Sequence, residues 1–311
     1  DGFINCVDLK ARKYNGKTCE DDKIYDDKKA KVFELHNRIC EAVALTDDTL
    51  LDKFFSGEPL TNEEIHKGLR KGVLNAEIYP IVFGSAQNNI GINTLLSMLV
   101  DYLPSPTDLK PYIGVDDNGK QVERKTETSE PFSAYIFKTI IDPYLGQINY
   151  AKVDSGIVKV GQEVFVPNLN QNVKLVALNE VCGKNLQPIE EAGAGDIVAL
   201  TKINELETSF TLSDKDNHIK YKEIGFPTAV IFKAIELENK KDDDKINSAL
   251  AKILKEDKTL EVKRNVETKQ LLLGGLSETH INFVLSKIKN TYGVELKTSE
   301  QKICYRETIT K

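Results

Sequence analysis

No apolar run in this chain approaches the roughly 20 residues that a bilayer-spanning helix requires, so a soluble protein is expected. The chain opens Asp1-Gly2-Phe3, without an initiator Met or the charged-then-apolar layout of a signal peptide, and is expected to begin inside a longer protein. Five scattered cysteines, Cys6, Cys19, Cys40, Cys182 and Cys304, form no CxxC pair and have no histidine nearby at metal-ligand spacing. That pattern excludes a zinc module and predicts reduced thiols in the cytoplasm. His36, His66, His218 and His280 are far apart with no cysteine or carboxylate cluster beside them, so they predict surface or helix-capping roles and no metal site.

A phosphate-binding loop is also missing. Its pattern G-x-x-x-x-G-K-[ST] lets successive backbone N–H groups and a lysine wrap the phosphates. Gly16-Lys17-Thr18 has the ending, but Ala11 stands where the first glycine belongs, and the surroundings read as a hairpin tip. Asp116-Asp117-Asn118-Gly119 mimics D-x-x-G but lies in a turn-rich connection, and no N-K-x-D occurs.

What is present is 311 residues, 40% hydrophobic and 29% charged, which fits two or three globular domains. A net charge of -6 speaks against a generally basic nucleic-acid binder while leaving room for a local basic face.

Strand-like runs Phe3 to Leu9 and Thr18 to Tyr25 flank Tyr14-Asn15-Gly16-Lys17, a hairpin signal. Val32, Leu35, Ile39, Ala42 and Val43 recur at helical spacing between Lys28 and Leu45. A helix from Asp47 to Phe55 ends before Gly57, and Thr61 with Glu64 makes a capping box for the next. Ile78 to Phe83 then predicts a buried strand, followed by the loop Gly84-Ser85-Ala86 and a helix carrying Ile92, Leu95, Leu96, Leu99, Val100 and Leu103. Strand, polar loop and amphipathic helix in that order are the rhythm of an α/β nucleotide-binding domain.

After Pro104-Ser105-Pro106 the chain turns polar, with a hairpin tip expected at Asp117-Asn118-Gly119-Lys120. Short β runs (134–141, 146–153, 161–166, 173–178 and 196–200) predict a small all-β barrel. From Ala229 to Lys297 the order strand-helix-strand-strand-helix-strand is the split βαβ, ferredoxin-like arrangement. The run Lys240-Lys241-Asp242-Asp243-Asp244-Lys245 reads as a solvated helix start.

Several stretches resemble elongation factor G, a translational GTPase, in order and separation. They are Phe83-Gly84-Ser85-Ala86 with Tyr102-Leu103-Pro104-Ser105-Pro106, Asp142-Pro143-Tyr144-Leu145-Gly146 with Ser155-Gly156, and Gly275-Leu276-Ser277-Glu278-Thr279-His280 with Tyr305-Arg306-Glu307-Thr308. Ser277 and Thr279 depart from the family's Gly-Glu-Leu-His, and the Glu-Thr-His form is similar to the elongation-factor-like paralogue branch.

The resemblance covers the whole chain and implies a multidomain fold of α/β, β-barrel and α+β parts. Residues 1–107 would be the helical insertion and C-terminal part of a P-loop GTPase-type domain, and 108–129 a linker. Residues 130–212 would be the domain II β-barrel of translation factors, 213–223 a second linker, 224–299 a ferredoxin-like βαββαβ domain III, and 300–311 the lead-in to domain IV.

By the same resemblance Gly84, Ser85 and Ala86 present backbone N–H groups to guanine in the intact parent. The parent would bind GTP and Mg2+ and act on ribosomal RNA and proteins in translocation, as a cytoplasmic monomer without membrane contact. Lacking the phosphate loop, this chain is expected to bind neither cofactor, to hydrolyse no GTP and to contain no catalytic or metal residue. Basic positions Lys263, Arg264, Lys287 and Lys289 suggest weak ribosome binding by the barrel and ferredoxin-like parts. Two alternatives stay open at this level: a ribosomal protection protein that dislodges tetracycline, and a nucleotide-independent ribosome-binding module.

Overall fold

The computed structural model describes residues 2–15, 19–183, 185–237, 243–305, 307 and 309. The chain divides into two compact units, Asp1–Asp108 and Leu109–Lys311.

The first unit opens with an antiparallel sheet of β1 (Gly2–Asn5), β2 (Lys10–Tyr14) and β3 (Cys19–Asp22). The expected hairpin is the β2–β3 ladder, in which Tyr14 pairs with Cys19, and its tip Gly16-Lys17 lies outside the described residues. Four helices follow: α1 (Asp26–Ala44), α2 (Asp48–Phe55), α3 (Asn62–Leu74) and α4 (Ile92–Tyr102). Local chemistry sets their ends. The Asp47 side chain accepts the Thr49 N–H, and Thr61 and Glu64 satisfy each other's backbone donors in a capping box.

Cys40, Val43, Ile65, Leu69 and Tyr102 form the buried core of this unit. Gly68 lets α3 close on α1, since a Cβ there would sit 2.5 Å from Val43 Cγ1.

Ile78 to Phe83 is not the buried strand its composition predicts. It joins no ladder, and Tyr79, Ile81 and Phe83 are 77%, 78% and 85% exposed. A strand exists only where a neighbour takes its backbone hydrogen bonds, and among the described residues none pairs with this run. The helix after it shows the same effect, because Leu96 and Val100 of α4 are exposed although their spacing marks an apolar face.

In the second unit, the stretches read as linkers contain paired strands. β4 (Tyr112–Val115) and β5 (Gln121–Arg124) form a hairpin. The Asp116 carboxylate caps its turn by accepting the Asn118 and Lys120 N–H groups, each at 2.9 Å. Downstream, β16 (Lys220–Tyr221) pairs with β4, giving a three-stranded sheet in the order β16-β4-β5.

Between them run β6 (Ser133–Asp142), β7 (Gly146–Ser155), β8 (Ile157–Lys159), β9 (Glu163–Val166), β10 (Gln171–Lys174), β11 (Leu178–Cys182), β12 (Asn185–Ile189), β13 (Glu191–Gly193), β14 (Ile197–Thr201) and β15 (Thr211–Ser213). Eight of them make one antiparallel sheet ordered β10-β9-β15-β6-β7-β14-β11-β12, and β8 pairs with β13. Val173 of β10 and Leu178 of β11, far apart in that order, share one core with Ile136, Val153, Val164, Leu200 and Leu212, so the sheet curls into the expected barrel. The single run expected over 173–178 is interrupted at Leu175, which is buried and donates its N–H to Gln162 O.

β17 (Ile231–Leu237), α5 (Asp243–Glu256), β18 (Glu261–Arg264), β19 (Leu271–Gly275), α6 (Glu278–Tyr292) and β20 (Leu296–Ser299) complete the chain. Their antiparallel sheet, ordered β18-β19-β17-β20, is the ferredoxin-like pattern, and Ile246, Leu250, Ile253, Ile281, Val284 and Ile288 pack both helices on one side of it. The charge run at Lys240–Lys245 lies partly outside the described residues, and α5 begins within it.

Candidate functional site

The segment Phe83 to Gly91 is a tight closed loop. Ser85 and Ile90 exchange two backbone hydrogen bonds of 2.9 Å, Ser85 Oγ accepts the Asn88 N–H at 3.3 Å, and Ala86 O accepts that of Asn89 at 3.3 Å. Two glycines allow the closure. A Cβ on Gly84 would lie 2.7 Å from Ile90 O, and Gly91 adopts φ +75° with its Cα side against Phe83 O.

The three residues singled out in the sequence therefore differ. Gly84 is structural, and the Ser85 N–H is committed inside the loop. The Ala86 N–H bonds to no described residue and sits on an exposed tip. The Gly84 N–H likewise bonds to no described residue, so two of the three amides are left uncommitted.

A second feature is the β6–β7 hairpin. Asp142 Oδ1 accepts the N–H groups of Tyr144 and Leu145, both at 2.8 Å. Those bonds, Leu145 first, hold the carboxyl below the usual carboxylate range. Gly146 takes φ +76° and closes the turn. The result is a rigid tip with Tyr144 95% exposed. Further down the ribbon a register shift between Ile136 and Lys138 frees Phe137 from the pairing, and its ring lies 6.5 Å from that of Tyr150.

At the start of α6, Ser277 accepts the His280 N–H at 3.1 Å as N-cap. His280 Nδ1 accepts the Leu276 N–H at 3.3 Å and Nε2 donates to Asp257 Oδ2 at 3.0 Å. Burial raises the Asp257 pKa, and the bonds from Thr259 and His280 outweigh it, leaving the pKa lowered.

The other histidines are also fixed by specific partners, where surface or capping roles were expected. His66 lies between Tyr102 Oη at 2.5 Å and Asp8 Oδ1 at 2.8 Å, joining α3 to α4 and to the loop after β1. His36 bonds Cys6 O at 2.8 Å, and His218 stacks on Phe165 with ring centroids 3.8 Å apart while bonding Asp117 Oδ2 at 2.6 Å. His36 also meets Cys40 Sγ at 3.5 Å, four residues on, a neighbour visible in the sequence. The pairings with Cys6, Asp8, Tyr102, Phe165 and Asp117 join residues far apart and leave no local trace. Among the described residues no group of three His, Cys, Asp or Glu side chains is placed to hold a metal ion.

The basic positions are less available than the sequence implied. Lys287 pairs with Glu256 at 2.5 Å, Lys263 with Glu261 at 2.9 Å and Lys289 with Glu295 at 2.5 Å. Lys287 is tied to the nearly buried Glu256, while Lys263 and Lys289 keep 54% and 59% of their side chains exposed and Arg264 is exposed as well.

Comparison with known proteins settles the family. The model for elongation factor G domain 2 matches residues 131–215, and the model for Elongation Factor G, domain III, matches residues 226–300. The chain belongs to the elongation factor G family. Elongation factor G of Ureaplasma urealyticum serovar 10 is 33% identical over 313 residues, covering 100% of this chain and 46% of the relative. Elongation factor G of Ureaplasma parvum serovar 3 is likewise 33% identical over 313 residues, with the same coverage. A crystal structure of a protein from Thermus thermophilus superposes with a TM-score of 0.80 at 28% identity, over 100% of this chain and 44% of that one. The chain thus spans about half the length of the elongation factor G relatives it matches.

The barrel and the ferredoxin-like sheet coincide with the two matched domains. The seam between them was missed by sequence reasoning. Glu256, at the end of α5, accepts the Ile141 N–H at 2.7 Å, and Lys258 pairs with Glu207 at 2.6 Å. A charged helix end ordinarily reads as solvated, so no local signal separates these residues from surface ones.

Proposed function

We propose that this chain serves translation elongation as the central part of a GTP-dependent ribosomal translocation factor of the elongation factor G type. The match along all of the chain to elongation factor G, through both family domains, carries the reading. The division into a GTPase-domain part up to 107, linkers at 108–129 and 213–223, barrel, ferredoxin-like domain and a lead-in from 300 belongs to the same proposal.

Within it, the loop Gly84-Ser85-Ala86 meets the guanine ring, with the Gly84 and Ala86 N–H groups left uncommitted by the bonds that close the loop. The residues present fit the base and not the phosphates, because no G-x-x-x-x-G-K-[ST] occurs in the chain. GTP and Mg2+ would therefore be held chiefly by other residues of the whole factor, and the chain by itself hydrolyses no GTP. The partner is the ribosome, met in the cytoplasm by a monomer. Among the described residues no helix is long and apolar enough to cross a membrane.

The β6–β7 hairpin is the contact the fold best supports. A rigid turn displays Tyr144 to solvent, and a base or a protein side chain can stack on an aromatic face without strand rearrangement. Co-sedimentation of the purified chain with small ribosomal subunits across a salt series tests the reading. Retention that falls with salt is expected, and absence of salt-sensitive retention would overturn it.

A further inference from the structure

Asp154 of β7 is a carboxyl group only 3% exposed, lying where the β16-β4-β5 sheet meets the barrel. The groups facing it come from every element packed there. Tyr112 of β4 accepts Lys152 Nζ of β7 at 2.6 Å, and its hydroxyl and Lys152 both act to lower the Asp154 pKa. Lys152 also lies over the Tyr112 ring, 5.2 Å from its centroid. Tyr221 of β16 packs edge-on to Tyr112 with centroids 6.0 Å apart. Its hydroxyl joins a buried chain with Ser133 of β6 at 2.6 Å and onward to Ser155 of β7 at 2.6 Å. Arg124 of β5 completes the ring of groups near Tyr221.

The contact is polar and incompletely satisfied. Arg124 Nε and Thr126 Oγ1 are buried without a hydrogen-bond partner. A polar interface with missing bonds separates more readily than an apolar one of the same size. A single ionisation inside it is therefore well placed to decide whether it stays shut.

We propose that Asp154 is a proton-operated latch: as a carboxylic acid it seats the β16-β4-β5 sheet on the barrel, and as a carboxylate it releases the sheet's grip. The proton lost goes to solvent when the sheet lifts and water reaches the oxygens. Lys152 and the Tyr112 hydroxyl offset part of the buried charge, so the sheet loosens instead of the barrel unfolding. Because β4 and β5 follow directly on the first unit in sequence, the latch acts on the segment that leads into the barrel.

Burial pushes the Asp154 pKa up to about 7, against the partial lowering by Lys152 and Tyr112. With the open form titrating as an ordinary carboxyl, opening becomes more favourable by about tenfold per pH unit until the pH reaches the closed-form value, and then levels off. Hydrogen exchange followed by mass spectrometry between about pH 5 and pH 8.5, corrected for intrinsic amide rates, reads this directly. Amides of Tyr112–Val115 and Gln121–Arg124 are expected to lose protection as pH rises and to plateau above neutrality, while those of β11 and β14 stay unchanged. Asp154→Asn is expected to abolish the pH dependence. A rise that persists in Asp154→Asn, or is absent from the parent chain, overturns the latch. Tyr112→Phe keeps the ring in place and removes the hydroxyl that lowers the Asp154 pKa, so it should move the plateau to higher pH. An unmoved plateau there overturns the proposal even if Asp154→Asn fails to fold.

Discussion

Glu256 and Ile141 meet across the seam between the ferredoxin-like domain and the barrel, the carboxylate Oε1 accepting the Ile141 N–H at 2.7 Å. Oε2 of the same carboxylate pairs with Lys287 of α6 at 2.5 Å. One side chain thus ties α5 to α6 and both to β6. Removing a partly buried charged acceptor leaves a backbone donor and an ammonium unsatisfied. Glu256→Ala is expected to cost about 2–4 kcal/mol in urea unfolding of the chain followed by circular dichroism. Glu256→Gln retains an acceptor for Ile141 and should cost about half as much. Equal losses for the two variants would mean that the carboxylate charge carries the whole contribution and the bond to Ile141 adds nothing.

Acid should weaken the first unit before it weakens the barrel. Hydrogen bonds from Lys71 and Thr49 hold Asp47 well below the usual carboxylate range, and those from Thr61 and Lys53 bring Glu64 down to about 2. A carboxyl whose folded pKa is lowered contributes stability that is present above its unfolded value and is lost as pH falls through the folded one. The window therefore opens near about pH 4 and runs downward. Helix signals from α2 and α3 are expected to decay there, and Lys71→Met together with Lys53→Met should flatten the decay when melting temperature is plotted against pH. Unchanged acid sensitivity in the double variant would count against these pairs as its origin.

Gly68 carries a packing prediction. A methyl group there meets Val43 Cγ1 at 2.5 Å and Thr46 Oγ1 at 3.3 Å, so α3 must move off α1. Gly68→Ala gains helix propensity of about 1 kcal/mol, and the overpacking cost of about 1–3 kcal/mol opposes it. A net loss in thermal stability is expected. Val43→Ala on the Gly68→Ala background should recover part of it by opening the space, and absence of recovery would show that the clash lies elsewhere.

Much of this architecture was legible in the sequence because its signals are local. Thr61 and Glu64 announce α3 by a bond pattern complete within four residues. The strand-helix-strand-strand-helix-strand order of the last domain follows from periodicity alone. What failed depends on partners distant in sequence. Ile78 to Phe83 has the composition of a buried strand and no ladder among the described residues to join. The tip Asp117-Asn118-Gly119-Lys120 announces the β4–β5 hairpin, but β16 is only two residues long, and its pairing with β4, Tyr221 with Gly114, has no local signal. Of the candidate loop, the sequence could indicate Gly84-Ser85-Ala86. It could not show that the Ser85 N–H is spent on Ile90, which leaves the Gly84 and Ala86 N–H groups uncommitted.

The hairpin tip gives the most direct functional test. Tyr144 is 95% exposed and Asp142 fixes its backbone, so side chain and scaffold can be separated. Tyr144→Ala removes almost no buried surface and should change the melting temperature little, a surface substitution being worth within about 0.5 kcal/mol. If the ring stacks on a ribosomal base or side chain, its loss should weaken retention on small subunits by the equivalent of about 1–3 kcal/mol, or roughly five- to hundredfold in affinity. Tyr144→Phe should retain the binding, because stacking needs the ring and not the hydroxyl. Asp142→Ala leaves the ring and loosens the turn that aims it, so it should lower affinity less than Tyr144→Ala while also reducing hydrogen-exchange protection at Tyr144 and Leu145. Parent-like sedimentation of Tyr144→Ala at every salt concentration would remove the hairpin from the ribosome contact and return the search to the paired lysines of the ferredoxin-like domain.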